Sequence, residues 1–307
     1  MKFSFFTDIH LTDNTPKYRI DKYPETLVNK LRSVYDLSLE NGCECVAFGG
    51  DFFDRKTIDD YSIIKAAINI INESGLRTYA CIGEHDLYGH NKDTFPESAL
   101  AFLCGFAPDF INLWNPVHLD NGVSFYSKHE WEKMDDLGTI KVGPSRYNVL
   151  LCHELLYNKK MPFGITNTAD LDLQFDLVCS GDLHCGFNPH KVKNTWYCNP
   201  GSLARKSTSD IKRMPRFFII DVQKGYDPVI ISKYLPFKAG NEVFAKGLVD
   251  IIKDYDSEYD MTNFVSSFDE LKVERTDIYE LFMKYRTTHE VKKDVIEYIE
   301  SLKNKQK

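Results

Sequence analysis

The chain has 307 residues, 43% hydrophobic and 13% aromatic, enough for one large domain and a small appendage. It holds no run of 18 apolar residues, which excludes a membrane-spanning helix. The net charge of −7 gives no overall basic field for nucleic acid, yet leaves room for a local cleft that holds divalent cations.

Lys2 to Thr7 enters a strand directly, with no leader-like cleavage site, so a cytoplasmic protein is expected. That strand ends in Asp8-Ile9-His10. Pro24 to Glu40 follows as a helix, with Leu27, Leu31 and Val34 at helical spacing and Asn41-Gly42 as its stop. The apolar run Cys45 to Phe48 ends in Gly49-Gly50-Asp51. A second helix carries Ile64, Ala67, Ile68 and Ile71 and ends near Gly75. Leu76 to Ile82 returns as a strand into Gly83-Glu84-His85-Asp86. This β-α-β-α-β order predicts a mostly parallel sheet with helices on both faces.

Pro96 to Phe102 reads as a third, shorter helix, and Phe110 to Lys128 as short strands split by a hairpin signal at Asn121-Gly122. Strands resume at Tyr147 to Cys152, which runs into His153-Glu154, and at Phe175 to Cys179, which runs into Ser180-Gly181-Asp182-Leu183-His184. Three more are expected at Lys193 to Tyr197, Phe217 to Val222 and Val229 to Tyr234. The segments 130–144 and 157–172 read as long loops over the strand ends. Around Pro236 helical patterns take over. One lies behind Asn241 as N-cap, one spans Ile278 to Tyr285, and one follows Thr288, dividing the chain into 1–235 and 236–307. The second part is either a packed cap or an exposed stripe that docks a partner. The eight cysteines lie mostly in apolar runs and form no C-x-x-C pair, as expected of reduced core thiols.

Five strand ends therefore carry Asp, His or Glu, the layout of a metal site on an α/β scaffold. Asp8 and His10, two residues apart, fall on one side of an extended chain. Asp51 supplies a carboxylate able to bridge two cations, and His153, Asp182 and His184 complete a ring. Mixed oxygen and imidazole ligation suits Mn, Fe or Zn better than a pure Mg or Ca cage.

The series Asp8-x-His10, Gly50-Asp51-x-x-Asp54, Gly83-Glu84-His85-Asp86, His153 and Gly181-Asp182-x-His184 resembles the calcineurin-like metallophosphoesterase superfamily over residues 1–235. The Gly83-to-Tyr88 stretch, the Asn199-Pro200-Gly201-Ser202 turn and the helical tail resemble most the SbcD-type DNA exonucleases, phage recombination nucleases included. The resemblance implies a layered α/β fold: a β-sandwich flanked by helices, with a small C-terminal helical cap. It also implies two divalent ions. Asp8, His10, Asp51 and His184 hold the first, and Asp51, Glu84, His153 and Asp182 the second. His85, backed by Asp86, contacts the scissile phosphate and protonates the leaving oxygen.

Glu84 and Asp182 stand where that family usually has Asn and His. Two added carboxylates make the second site harder, favouring Mn²⁺ or Mg²⁺ over zinc, with Mn²⁺ the leading expectation and Fe or Zn the alternatives. A crippled second site is the competing expectation. Arg55, Asn199 and Arg205 are expected to hold the DNA strand, helped by the basic run from Arg205 to Arg216. Trp131 and Trp196 either stack on bases or pack. The expected partners are DNA, an SbcC-type coiled-coil ATPase and a second copy of the chain. Two other readings compete with this one: a phosphodiesterase or phosphatase on a small-molecule or protein substrate, and a non-catalytic platform.

Overall fold

Side-chain alternation in the first strand sets up the architecture. In β1 (Lys2–Phe6), Phe3 and Phe5 point to one face and Phe6 to the other, and all three are fully buried. Both faces of this strand must therefore be covered. The computed structural model describes residues 1–133, 137, 140–159, 165–206 and 210–245.

β1, β2 (Cys45–Phe48), β3 (Arg77–Ala80) and β4 (Phe110–Asn112) run parallel, in register Phe3–Cys45, Cys45–Arg77 and Thr78–Phe110. The crossovers are α1 (Tyr23–Glu40), α2 (Tyr61–Ser74) and α3 (Ala99–Phe106). Leu27, Leu31, Ile64, Ile71 and Leu103 from these helices pack on Phe6, Val46, Phe48 and Ala80, so the helices share one face. On the other face Phe3, Phe5, Ala47 and Tyr79 meet a second sheet. The expectation of helices on both faces is thus corrected. Strands apolar on both sides demand cover twice, and a sheet supplies the second cover.

That second sheet begins with β5 (Val117–His118) and β6 (Val123–Lys128), a hairpin about Asn121-Gly122 with Gly122 at φ 87°. β4, expected to belong to the same run of short strands, joins the first sheet instead. β7 (Tyr147–Cys152) lies parallel to β6. A two-residue parallel pair, β8 (Leu156–Tyr157) and β9 (Thr166–Asn167), stands apart. β10 (Leu177–Ser180) runs parallel to β7, and β12 (Thr195–Asn199) runs parallel to β10. β11 (Phe187–Val192) is the edge strand, antiparallel to β12. It was not expected from the sequence, because Pro189 and alternating polar residues disguise it; an edge tolerates both. β13 (Arg216–Asp221) and β14 (Val229–Tyr234) close the first sheet antiparallel beside β1.

Two segments differ locally from expectation. The helix expected at Pro96 is a 3₁₀ turn over Lys92–Glu97, and α3 starts only after Ser98, whose Oγ accepts from the Ala101 N–H at 3.1 Å. The helix expected behind Asn241 is, in its described part, the single turn α4 (Gly240–Val243), after which Phe244 is extended.

The described parts of the two long loops bring Leu137, Ile140, Tyr157 and Leu171 against Tyr126, Leu150 and Val178. They form an apolar cover for the outer face of the second sheet. The chain divides into two compact units, Met1–Asp254 and Tyr255–Lys307, and the helices expected beyond residue 245 lie outside the described residues. Among the described residues no helix is long and apolar enough to cross a membrane.

Candidate metal centre

The turns after β1, β2 and β10 hold their backbone in the left-handed region at non-glycine residues. Asp8 has φ 50°, His10 46°, Asp51 58° and Asp182 69°. Such conformations cost free energy and persist only where surrounding contacts enforce them. Here the first two turns are tied together: the Asp8 N–H donates to Gly50 O at 3.0 Å and the His10 N–H to Asp51 O at 3.1 Å. Glycine at two neighbouring positions permits the close approach. A Cβ on Gly50 would stand 2.5 Å from His153 Nδ1, and one on Gly83 2.2 Å from Asp51 Oδ1.

Several of the ligand-type side chains are oriented through one atom, leaving another directed inward. Asp8 Oδ2 accepts from Thr7 Oγ1 at 2.6 Å and from the Asp182 N–H at 3.1 Å, while Asp8 Oδ1 is buried without a partner. His153 Nδ1 lies 2.9 Å from the Gly49 carbonyl, so Nδ1 carries a hydrogen, and Nε2 faces the site, buried and without a hydrogen bond. His85 Nδ1 is fixed in the same way on Asp54 O at 2.6 Å.

The inward atoms converge. His10 Nε2 and His184 Nε2 are 3.0 Å apart. Asp8 Oδ1 lies 3.5 Å from the latter and 3.8 Å from the former. Asp51 Oδ2 is 3.6 Å from His10 Nε2, 3.5 Å from His153 Nε2 and 4.0 Å from His85 Nε2. Four bonds of 2.0–2.2 Å about a tetrahedral ion put neighbouring ligand atoms about 3.4 Å apart, so this spacing and the partnerless buried atoms fit a divalent cation. Three ligand-competent groups overlap: Asp8–His10–His184, His10–Asp51–His85 and Asp8–Asp51–His153.

Electrostatics point the same way. Burial lowers the pKa of His10 to about 4, against the pull of Asp51 and Asp8. His153 is pushed well above the usual imidazole range, because Asp51 and Asp8 outweigh its burial. Asp182 rises to about 6 through burial and the neighbouring Asp8, Glu84 and Asp51 carboxylates, with His153 opposing. Burial works to raise Asp8 and Asp51, but the neighbouring imidazoles hold both below the usual carboxylate range, leaving buried anionic oxygens of the kind a cation binds.

Asp8, His10, Asp51, His153 and His184 therefore meet as expected. Asp182 lies beside them through its backbone N–H, and Glu84, half-exposed, sits with Oε1 3.6 Å from His85 Nε2. Neither carboxylate enters the three ligand groups of the described residues. His85 does enter one, which its expected role outside the ligand set did not foresee.

Asp86 is a correction. It does not back His85: its carboxylate accepts the backbone N–H groups of Asp51, Phe52, Phe53 and Gly83 at 3.1–3.3 Å, and the Asp54 carbonyl takes the expected place. Asn199 and Arg205 are corrections too. Asn199 is fully buried, donating to Gly181 O and accepting from the Gly201 N–H. Arg205 is 2% exposed and bonds to the carbonyls of Ile211 and Lys238. Both hold backbone, and neither lines the cleft at His85. Arg55 does line a cleft of about 650 Å³ with Lys56, Glu84, His85, Tyr88 and His90, but it is paired with Asp13 at 2.6 Å. Thr7, which orients Asp8, was missed; its only signal in the sequence is adjacency to Asp8.

Solved structures with this fold include TT1561 of Thermus thermophilus, at 13% identity and a TM-score of 0.50 over 76% of this chain and 98% of that one. A dimetal phosphatase from Danio rerio aligns at 9% identity and a TM-score of 0.50, over 76% and 95% of the two chains. No protein-family profile matches the chain, and neither does any curated protein. At these identities the likeness establishes the layered α/β fold shared with these proteins.

Proposed function

We propose that the chain is a metal-dependent phosphoester hydrolase, and that its substrate is the phosphodiester backbone of DNA. The observation that carries the first half is the convergence of buried, partnerless ligand atoms, Asp8 Oδ1 and His153 Nε2, around Asp51 Oδ2. Asp8, His10, Asp51 and His184 would hold one cation, and Asp51 with His153 a second, with Asp182 and Glu84 close by. Bound divalent ions would supply Lewis-acid polarisation of the phosphoryl oxygens and activate water.

The chain's own groups do the rest. His85, locked through Nδ1 on the Asp54 carbonyl, presents Nε2 to the cleft, where it hands a proton to the leaving oxygen. Tyr88, 71% exposed, stands on the cleft wall with Lys56 Nζ 5.3 Å from its ring centre. An exposed aromatic beside a cation suits a stacked base and its phosphate, which supports a nucleic-acid substrate. Manganese as the ion, an SbcC-type ATPase and a second copy as partners, and a separate C-terminal partner-binding segment belong to this reading through the resemblance alone.

A second reading, a phosphatase on a small phosphoester, is favoured by one observation. Arg55, Lys56 and Lys206 around the cleft are each already paired, with Asp13, Glu97 and Asp54 respectively, leaving little free charge to grip a strand. The dimetal phosphatase from Danio rerio has the same fold.

The test is incubation of the full chain and Mn²⁺ with end-labelled linear DNA, bis-p-nitrophenyl phosphate and p-nitrophenyl phosphate, beside His85→Ala and Asp51→Asn. DNA cleavage lost in both variants is the expected result. Hydrolysis of the monoester alone would move the assignment to the second reading. Silence on all three substrates would overturn both.

A further inference from the structure

Apart from the candidate metal centre, the chain buries a second group of charges. Arg19, Lys30 of α1 and Arg205 are 5%, 4% and 2% exposed and lie beside the segment leading into α4. They line a cavity of about 280 Å³ whose rim carries Phe237 and Lys238. Among the described residues its charged lining is four basic side chains, Arg19, Lys30, Arg205 and Lys238, against one carboxylate, Asp21.

That carboxylate is already consumed. Arg19 donates to both its oxygens at 2.7–2.8 Å, and Thr26 Oγ1 donates at 2.7 Å. Lys30 and Arg205 find only neutral acceptors. Lys30 Nζ donates to Leu203 O at 2.5 Å, and the Arg205 guanidinium bonds to Ile211 O and Lys238 O. Among the described residues, the buried Arg205 Nε has no hydrogen-bond partner. Backbone carbonyls solvate a cation but do not neutralise it, and burying an uncompensated charge is costly. Burial, followed by the neighbouring Arg205, Arg213 and Arg19, depresses the Lys30 pKa well below its usual value.

We infer that this cavity is a binding site for a phosphate group, either inorganic phosphate or the end of a small phosphomonoester. The Arg205 guanidinium supplies directional donors, and Lys30, Arg19 and Lys238 beside it make the lining predominantly basic, the pairing that suits a tetrahedral dianion. The volume of about 280 Å³ accepts a small anion. The Arg19 guanidinium, set over the Tyr23 ring at 4.6 Å and the Phe244 ring at 5.0 Å, keeps one wall rigid. The site shares no side chain with the candidate metal centre, so it stands whether or not the hydrolase reading does.

The experiment is thermal unfolding and calorimetric titration of the full chain, stripped of metal and dialysed free of chelator. It is titrated with sodium phosphate, with chloride at equal ionic strength, and with acetate. Phosphate is expected to raise the midpoint where chloride and acetate do not. Lys30→Met, which removes the buried charge, is expected to be at least as stable as the parent without phosphate and to lose the phosphate response. Arg205→Lys keeps the charge but loses the fork, and is expected to weaken phosphate about tenfold, about 1.4 kcal/mol. If Lys30→Met fails to fold, Arg205→Lys alone decides. An unchanged phosphate response in whichever variant folds, or equal stabilisation by acetate or chloride, overturns the assignment.

Discussion

Asp86 accepts the backbone N–H of Asp51 at 3.1 Å, and with it those of Phe52, Phe53 and Gly83. One buried carboxylate thus fixes the turn that delivers the central ligand and ties it to the next strand end. Removing it strands four buried donors. Asp86→Ala is therefore expected to lower stability by about 3 kcal/mol, a buried donor left unsatisfied costing roughly 1–3 kcal/mol. His85→Ala, at a partly exposed position, should change stability by no more than about 1 kcal/mol while removing turnover. Urea unfolding of both variants checks this. An Asp86→Ala protein as stable as its parent but inactive would return Asp86 to a role at His85.

Gly83 touches Asp51 from the other side. A Cβ there would stand 2.2 Å from Asp51 Oδ1, which also accepts the His85 N–H at 2.9 Å. Gly83→Ala should displace that carboxylate and weaken Mn²⁺ binding by about 10–100-fold, as expected when a ligand's support is lost. Calorimetric titration with Mn²⁺ reads it directly. Unchanged affinity would mean the turn absorbs the methyl group elsewhere.

Thr7 orients Asp8 through a 2.6 Å hydrogen bond to Oδ2. Thr7→Val keeps the shape and removes the donor, so metal affinity should fall about tenfold, and Thr7→Ser should restore it. Failure of Ser to rescue would point to packing rather than orientation.

Asp21 offers a pH prediction remote from the metal centre. Burial works to raise its pKa, but hydrogen bonds from Arg19 and Thr26 prevail and hold it below the usual 3.8. A carboxyl with a depressed folded-state pKa binds more protons unfolded than folded. Its contribution is therefore complete above about pH 4 and is lost as pH falls through the folded value. Asp21→Asn should lower stability near neutral pH and flatten the profile below pH 4. A parallel profile, merely displaced, would mean that Asp21 has no shifted titration.

Much of the centre is legible in the chain because strand ends are written locally. The run Cys45 to Phe48 followed by Gly49-Gly50-Asp51 states both a buried strand and a close approach, and β2 with Gly50 against His153 is the outcome. The alternation of Phe3, Phe5 and Phe6 carried equal information. The error of placing helices on both faces came from reading connectivity before burial: three crossovers fill one face, and the apolar residues left over require a second sheet. β11 stayed hidden because an edge strand obeys weaker rules than a central one.

The sequence by itself determined which carboxylates and imidazoles arrive at one edge of the sheets, since apolar runs end where their polar successors begin. Only the tertiary structure decided what each of them does there. Asp8, His10, Asp51 and Asp182 sit in left-handed backbone, so strand alternation no longer says where their neighbours point. Asp86, Asn199 and Arg205 turned inward because buried backbone donors and carbonyls had to be satisfied first. That demand is set by chain segments distant in sequence, and no local spacing records it.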